Sequence, residues 1–246
     1  MDRMLYVAMS GANGLLRGQE ALAHSLANLS TVGFKGVLQA ARSVPVTGDV
    51  YPSRVYARVG LAGPDFSQGP IVRTGRDLDV AVDGEGWIAV QAPDGSEAYT
   101  RAGDLRIGPG GVLTNGAGFP VLGGGGPIAI PPYESLQIGA DGTVTIRPLG
   151  QGANALTVLD RIRLVRPPRS ELVRGPDGLF RLRSGEAAPP DASVRLLTGS
   201  LERSNVSAVE ALTEMIDAAR RYELHVRLMQ TARDNDQAAS QLLRLG

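Results

Sequence analysis

SNVSAVEALTEMIDAARRYELHVRLMQ, residues 204–230, carries both a start signal and a periodicity. Ser207 and Glu210 form an S-x-x-E capping box, in which side chains satisfy backbone N–H groups left open by the first turn of a helix. Val206 is placed to staple onto Ala211. Val209, Leu212, Ile216, Ala219, Tyr222, Val226 and Met229 then recur at steps of three and four, the spacing that keeps one stripe of a helix facing a partner. Ala232, Asp236, Ala239 and Leu243 continue the stripe with one polar break at Asp236. The helix runs to roughly 40 residues, or about 55 Å at about 1.5 Å per residue. A pattern this long exceeds ordinary globular helices and points to a coiled coil.

The other end of the chain matches it. Leu5, Ala8, Ala12, Leu15, Gln19, Leu22, Leu26 and Leu29 alternate the same steps over roughly 27 residues, about 40 Å of helix. This stripe is thin, since Ala8 and Ala12 are small and Gln19 is polar, and Gly11 and Gly14 weaken the helix further. Gly33 is placed to stop it. One thin helix pair is marginal in water, so the helices are expected to be largely disordered in the free monomer and to fold on assembly.

Between the ends the punctuation changes. All 16 Pro lie from Pro45 to Pro190, whereas the first 40 residues have none. Leu78, Val80 and Val82 alternate with acidic and small residues; Ile128 and Ile130, Leu136 and Ile138, Val144 and Ile146, and Ile162 and Leu164 repeat the period of two. Asp94-Gly95, Asn115-Gly116, Asp141-Gly142 and Asp177-Gly178 supply tight turns. Nothing helical interrupts the strands, so βαβ architecture is not expected. The fold class expected is a modular α+β chain. Long N- and C-terminal helices pair as an antiparallel or coiled-coil-like unit, with a central all-β domain. Residues 1–36 hold the N-terminal helix, 37–70 an extended connector with short strands, 71–200 the β domain and 201–246 the C-terminal helix. The candidate helical interface comprises Leu5, Leu15, Leu22, Leu26, Leu29, Val209, Leu212, Ile216, Tyr222, Val226 and Met229.

Composition excludes much chemistry. The chain has 246 residues, with 25 Lys+Arg against 25 Asp+Glu, a balance that argues against nucleic acid as partner. Only one of the basic residues is a lysine, Lys35. Absence of Cys removes thiol nucleophiles, disulfides and Cys-ligated zinc, and the two His, His24 and His225, lie on the terminal helices. Gly84-Glu85-Gly86-Trp87-Ile88-Ala89 fits G-x-G-x-x-A, but Trp87 to Gln91 reads as a strand rather than the helix a pyrophosphate needs, so a hairpin turn is expected. Asp77, Asp79 and Asp83 fall on one strand face and lack Ca²⁺-loop spacing, which makes them a solvated face. Trp87 and Phe119 are expected in the β core. No catalytic, metal or cofactor residue, no small-molecule substrate and no membrane span is expected; no apolar run reaches the required ~20 residues. The competing reading, an enzyme or carbohydrate-binding β protein, requires a pocket of converging titratable groups within 71–200.

Four ordered motifs carry a likeness that spans the chain. Ser25 to Lys35, with Leu26, Ala27, Asn28, Thr31, Gly33 and Phe34 at the defining positions, resembles N-N-L-A-N-x-x-T-x-G-[FY]-[KR] of flagellar rod and hook proteins, with His24-Ser25 in place of the two Asn. Leu78 to Trp87, with Tyr99-Thr100-Arg101-Ala102-Gly103 after it, is similar to the shared L-D-x-A-I-x-G-x-G-[FW] and Y-T-R-x-G pair. Gly199 to Val206, with Leu201, Glu202, Ser204, Asn205 and Val206, resembles G-x-L-E-x-S-N-V, and Arg221-Tyr222-Glu223 the R-x-[YF]-E step beyond it. The start Met1-Asp2-Arg3, the length and Gly126 to Pro132 are similar to proximal-rod members, with distal-rod members the alternative. The resemblance implies a structural subunit of the rod that crosses the periplasm. It implies assembly with copies of itself and other rod proteins through the terminal helices, and delivery by the flagellar export apparatus without a cleaved signal peptide.

Overall fold

A computed structural model describes residues 4–45, 55–150 and 156–242; Met1 to Arg3 and Leu243 lie outside them. Among the described residues its α-helices are α1 (Met4–Ala27) and α2 (Ala208–Leu242), and between them lie sixteen strands and two short 3-10 turns, Pro109–Gly111 and Arg169–Glu171. The strands of the first half are β1 (Val37–Pro45), β2 (Val55–Pro64), β3 (Ile71–Arg73), β4 (Val80–Asp83), β5 (Trp87–Gln91), β6 (Glu97–Thr100), β7 (Arg106–Ile107) and β8 (Leu113–Thr114). Those of the second are β9 (Tyr133–Ile138), β10 (Thr143–Pro148), β11 (Thr157–Arg161), β12 (Leu164–Val165), β13 (Leu172–Arg174), β14 (Phe180–Leu182), β15 (Arg195–Thr198) and β16 (Ser200–Glu202). The chain divides into two compact units.

The first unit comprises residues 1–29, 36–65 and 206–246. Here α1 lies along α2 and against β2. Within residues 37–70, expected to be an extended connector with short strands, β1 and β2 pair antiparallel, Val37 with Pro64 through to Pro45 with Val55, with a register shift between Leu38 and Gln39. Gln39 Nε2 donates to the Gly18 carbonyl at 3.0 Å, a bond that ties this hairpin to α1. The helix pair therefore does not stand alone as the sequence suggests, because the hairpin covers part of α1.

The second unit comprises residues 30–35 and 66–205. One sheet runs β12-β5-β6-β14-β13 and another β11-β10-β9, while β15 pairs with β4 and β16 with β3. Strand β5 shows why this region folds as it does. Ile88 and Val90 enter a core with Val80, Leu105, Leu113, Val121, Ile128, Val144, Ile162 and Leu196. Trp87 and Ala89 enter a second core with Tyr99, Val165, Leu172 and Phe180. A strand covered on both faces has no solvated side, hence the unbroken apolar run Trp87 to Val90. The Asp-Gly turns act as expected: the Asp94, Asp141 and Asp177 carboxylates accept backbone N–H bonds from Ser96, Thr143 and Leu179.

Two local expectations are corrected. β4 pairs with β15, and β5 with β6 and β12, so Gly84–Gly86 carries the chain from one sheet to another rather than closing a hairpin. Asp79 is not on a solvated face: it is buried and accepts from Thr74 Oγ1 at 2.7 Å and from the Arg76 guanidinium, whereas Asp77 and Asp83 are exposed. Phe119 is half-buried against the first core.

Candidate assembly site: a buried motif junction and two helical faces

In the second unit, residues from three of the four sequence motifs meet at one carboxylate. Glu202, at the end of β16, is 0% exposed. Its Oε1 accepts from Lys35 Nζ at 2.6 Å and from the Gly69 N–H at 3.0 Å; its Oε2 accepts from Arg101 Nη1 at 2.9 Å. Lys35 is 1% exposed and donates a further bond to the Ser67 carbonyl at 2.7 Å. Arg101, 5% exposed, also reaches the carbonyls of Val82 (3.3 Å) and Gly84 (2.7 Å) and lies 5.3 Å from the Trp87 ring centroid. Two cations thus share one carboxylate out of water. Such a cluster persists because both oxygens of the carboxylate accept hydrogen bonds and each cation donates one of them. Burial pulls the Arg101 guanidinium below its ordinary value, and the Glu202 charge opposes that shift.

The backbone takes the same route. The Gly33 N–H donates to the Glu202 carbonyl at 2.8 Å, and the Asn205 N–H to the Phe34 carbonyl at 3.3 Å. Gly33 has φ +66°, and a Cβ there would lie 2.3 Å from the Arg101 carbonyl carbon, so the motif glycine is demanded both by conformation and by contact. Arg174 closes the far side, donating to the Lys35 carbonyl at 2.9 Å with its guanidinium carbon 4.4 Å from the Phe34 ring centroid. Asn205 Nδ2 reaches the Ser67 carbonyl and hydroxyl.

Among the motif residues, Gly33, Phe34, Glu202 and Ser204 are buried; Leu26, Asn28, Leu201, Asn205 and Val206 are half-buried, and Ala27 and Thr31 exposed. Lys35 and Arg101, which hold the carboxylate, do not emerge as site residues from the sequence. One signal points to Lys35: it is the single lysine beside 24 arginines.

In the first unit the structure resolves each helix into two faces where the sequence suggested one stripe. On α1 the buried positions are small: Ala8, Gly11, Ala12, Gly14, Gly18 and Ser25. Leu15, Leu22 and Leu26 are half-buried beside them, and Leu5, Met9 and Leu16 are exposed. Leu29 lies beyond the helix, which ends at Ala27. On α2 the covered row is Ala211, Met215, Ala218, Tyr222, His225, Met229 and Ala232, spaced by four and three throughout. Tyr222, Val226 and Met229 are at least partly covered, as a seam requires. Val209, Leu212 and Ile216 are not: they are 76%, 48% and 56% exposed. The reason is steric. A glycine-rich α1 allows close approach to small, flat or unbranched side chains. The imidazole of His225 lies so near Gly11 that a Cβ there would be 2.4 Å from Cε1, and the bulky aliphatics of the first turns point elsewhere. α2 begins at Ala208, where Ser207 Oγ accepts the Glu210 N–H at 3.4 Å; residues 201–205 belong to the β unit.

A cavity of about 310 Å³ in the β unit is lined by Gly123, Gly124, Arg161, Arg163 and Asp191 among others. Each charged side chain is committed to neighbouring protein: Arg161 to the Asp141 carbonyl, Arg163 to the Ala188 carbonyl, Asp191 to Ser193. Among the described residues no helix is long and apolar enough to cross a membrane.

Comparison with known proteins gives the same direction. Residues 81–146 match the flagellar hook protein FlgE/F/G D1 domain, and residues 197–242 match the flagellar basal body rod FlgEFG protein C-terminal region. The chain is 42% identical to the flagellar basal-body rod protein FlgF of Escherichia coli strain K12 over 249 residues, 99% of each chain. It is 41% identical to FlgF of Salmonella typhimurium over the same span and coverage. The flagellar basal-body rod protein FlgG of Bacillus subtilis is 32% identical, over 94% of this chain and 96% of that one. With the motifs that carry this similarity converging on Glu202, the chain belongs to the flagellar basal-body rod protein family.

Proposed function

We propose that the chain is a structural, non-enzymatic subunit of the flagellar rod, of the proximal-rod type, that polymerises through its terminal helices. The observation carrying this reading is the second apolar face on each helix. Leu5, Met9 and Leu16 on α1 and Val209, Leu212 and Ile216 on α2 remain exposed after the pair has formed. Contiguous apolar surface left on a paired helix is a contact surface waiting for another molecule. Leu5 and Tyr6 share a cavity of about 430 Å³ with Val226 and Met229, while Gly11 faces His225. Rising positions on α1 therefore meet falling ones on α2, which supports an antiparallel, coiled-coil-like pair. Leu15, Leu22, Leu26, Tyr222, Val226 and Met229 serve the pair itself; Leu5, Val209, Leu212 and Ile216 serve the contacts between subunits. Repetition of such a contact without closure gives a helical filament with copies of this chain and other rod proteins. In this reading the subunit stands in the periplasm and arrives through the flagellar export apparatus.

The test is Leu212→Asp with Ile216→Asp. Both sites are exposed in the monomer, so its helix content and melting temperature are expected to stay unchanged while rod assembly and swimming are lost. Normal swimming by the double variant would overturn the assignment of this face.

A further inference from the structure

We propose that neighbouring copies of this chain meet through α2, side by side and parallel, with Leu212 and Ile216 of one copy packed on Leu224 and Leu228 of the next. This rests on the rod reading and adds to it the register of the contact. Both residue pairs stand 12 apart in sequence, so the neighbour is displaced by about 18 Å along the helix at about 1.5 Å per residue. Leu224 and Leu228 are 57% and 42% exposed, much as Ile216 and Leu212 are.

The covered row of α2 shows where these side chains lie. Ala211, Ala218, His225 and Ala232 recur every seven residues, and Met215, Tyr222 and Met229 do the same. Residues seven apart hold the same place relative to such a seam. Val209, Leu212 and Ile216 therefore fall beyond the Met215–Tyr222–Met229 column, on one flank of α2. Leu224 and Leu228 fall beyond the Ala211–Ala218–His225 column, on the other flank. A single neighbour cannot cover both, so one flank of each copy meets the opposite flank of the next. Because the two patches also differ in height along α2, every repeat adds a step along the axis, and the series does not close into a ring.

Charge selects the same register. Residues 208–219 carry Glu210, Glu214 and Asp217 and no Lys or Arg, whereas residues 220–228 carry Arg220, Arg221 and Arg227 against Glu223 alone. All seven of these side chains are exposed. Without stagger, the acidic stretch of one copy lies beside the acidic stretch of the next, and like charges repel. With the displacement that brings Leu212 to Leu224, the acidic stretch lies beside the basic one. α1 offers no such match, since Arg17 and Glu20 balance within it. The few aliphatic side chains of one contact bury far less than the about 1,200 Å² of a stable two-body interface, so the contact holds when it is repeated along an assembly.

The chain has no cysteine, so introduced thiols report without background. Leu212→Cys with Leu224→Cys replaces the parent, and isolated basal bodies are treated with a bismaleimide that spans about 8–10 Å, the separation of packed helix axes. Within one chain the two thiols stand about 18 Å apart along α2, out of reach of each other. Cross-linked dimers and higher oligomers of the chain are expected, against monomer alone from either single variant. Ile216→Cys with Leu228→Cys, one turn further along, is expected to behave alike, and it decides if the first pair does not assemble. Rods that contain a double variant and yield monomer alone would overturn the proposal. Dimers from Leu212→Cys or Leu224→Cys alone would overturn it too, since they mean that like patches meet. Both of those results leave the rod reading standing, because the chain is then in the rod. Absence of the unsubstituted chain from basal bodies would overturn the rod reading and this inference with it.

Discussion

Replacing Gly11 by Ala should reverse a familiar sign. In the interior of a helix, Gly→Ala ordinarily stabilises by about 1 kcal/mol, because glycine loses more backbone freedom on folding. At Gly11 the added Cβ would lie 2.4, 2.8 and 3.0 Å from three atoms of the His225 ring, so the imidazole must shift by about 1 Å to restore van der Waals distance. Overpacking of that kind costs about 1–3 kcal/mol, which outweighs the propensity gain and leaves a net loss of about 1 kcal/mol. In a two-unit chain of this size the helical unit's melting temperature should fall by about 2–4 °C. His225→Ala removes the obstruction, and with it a ring nitrogen, Nδ1, that is buried without a hydrogen-bond partner among the described residues. In that background Gly11→Ala should stabilise, and the double-mutant cycle should show a coupling of about 2 kcal/mol. Circular dichroism melts of the four proteins test this. A Gly11→Ala variant that melts higher than the parent would refute the close approach on which the helix pairing rests.

Three further outcomes concern the β unit. Burial of the Tyr99 phenol pushes its pKa up to about 12. The neutral form is thus favoured in the fold, and its contribution, on the order of 2–3 kcal/mol, is present in full below pH 10 and lost as pH rises through 12. Denaturant midpoints measured at pH 8 and pH 12 should therefore fall further for the chain than for Tyr99→Phe, which has no phenol to ionise. Leu105→Ala, at a fully buried core position, should cost about 2–5 kcal/mol in denaturant unfolding. Glu85→Gln should leave the melting temperature unchanged: the carboxylate pairs with Arg166 and Arg169 on the open surface, where the Arg166 hydrogen bond lowers its pKa without adding measurable stability.

How far the sequence reaches can be judged residue by residue. The start of α2 is legible because capping is local: Ser207 and Glu210 are three residues apart, and the bond is there. The covered face of α2 is not, since reading for bulky aliphatics favours Val209, Leu212 and Ile216, while the seam uses Ala211, Met215 and Ala218. Glycines on α1 reward small partners, and that preference lies in the other helix's sequence. Short strands within 37–70 are legible, but the pairing of β1 with β2 and their contact with α1 are not, because they depend on partners outside each strand, such as Gly18 for Gln39. Glu202 emerges only as a motif letter. Its chemistry depends on Lys35 and Arg101, brought from 167 and 101 residues away, and no periodicity encodes separations of that length.

Since the chain has no cysteine, a single thiol placed on the exposed face of α2 reports the central claim most directly. In Ile216→Cys, reactivity toward a maleimide is measured in the purified monomer and in isolated basal bodies carrying the variant. The account predicts rapid labelling of the monomer and protection in the assembled rod. Equal labelling in both would contradict it.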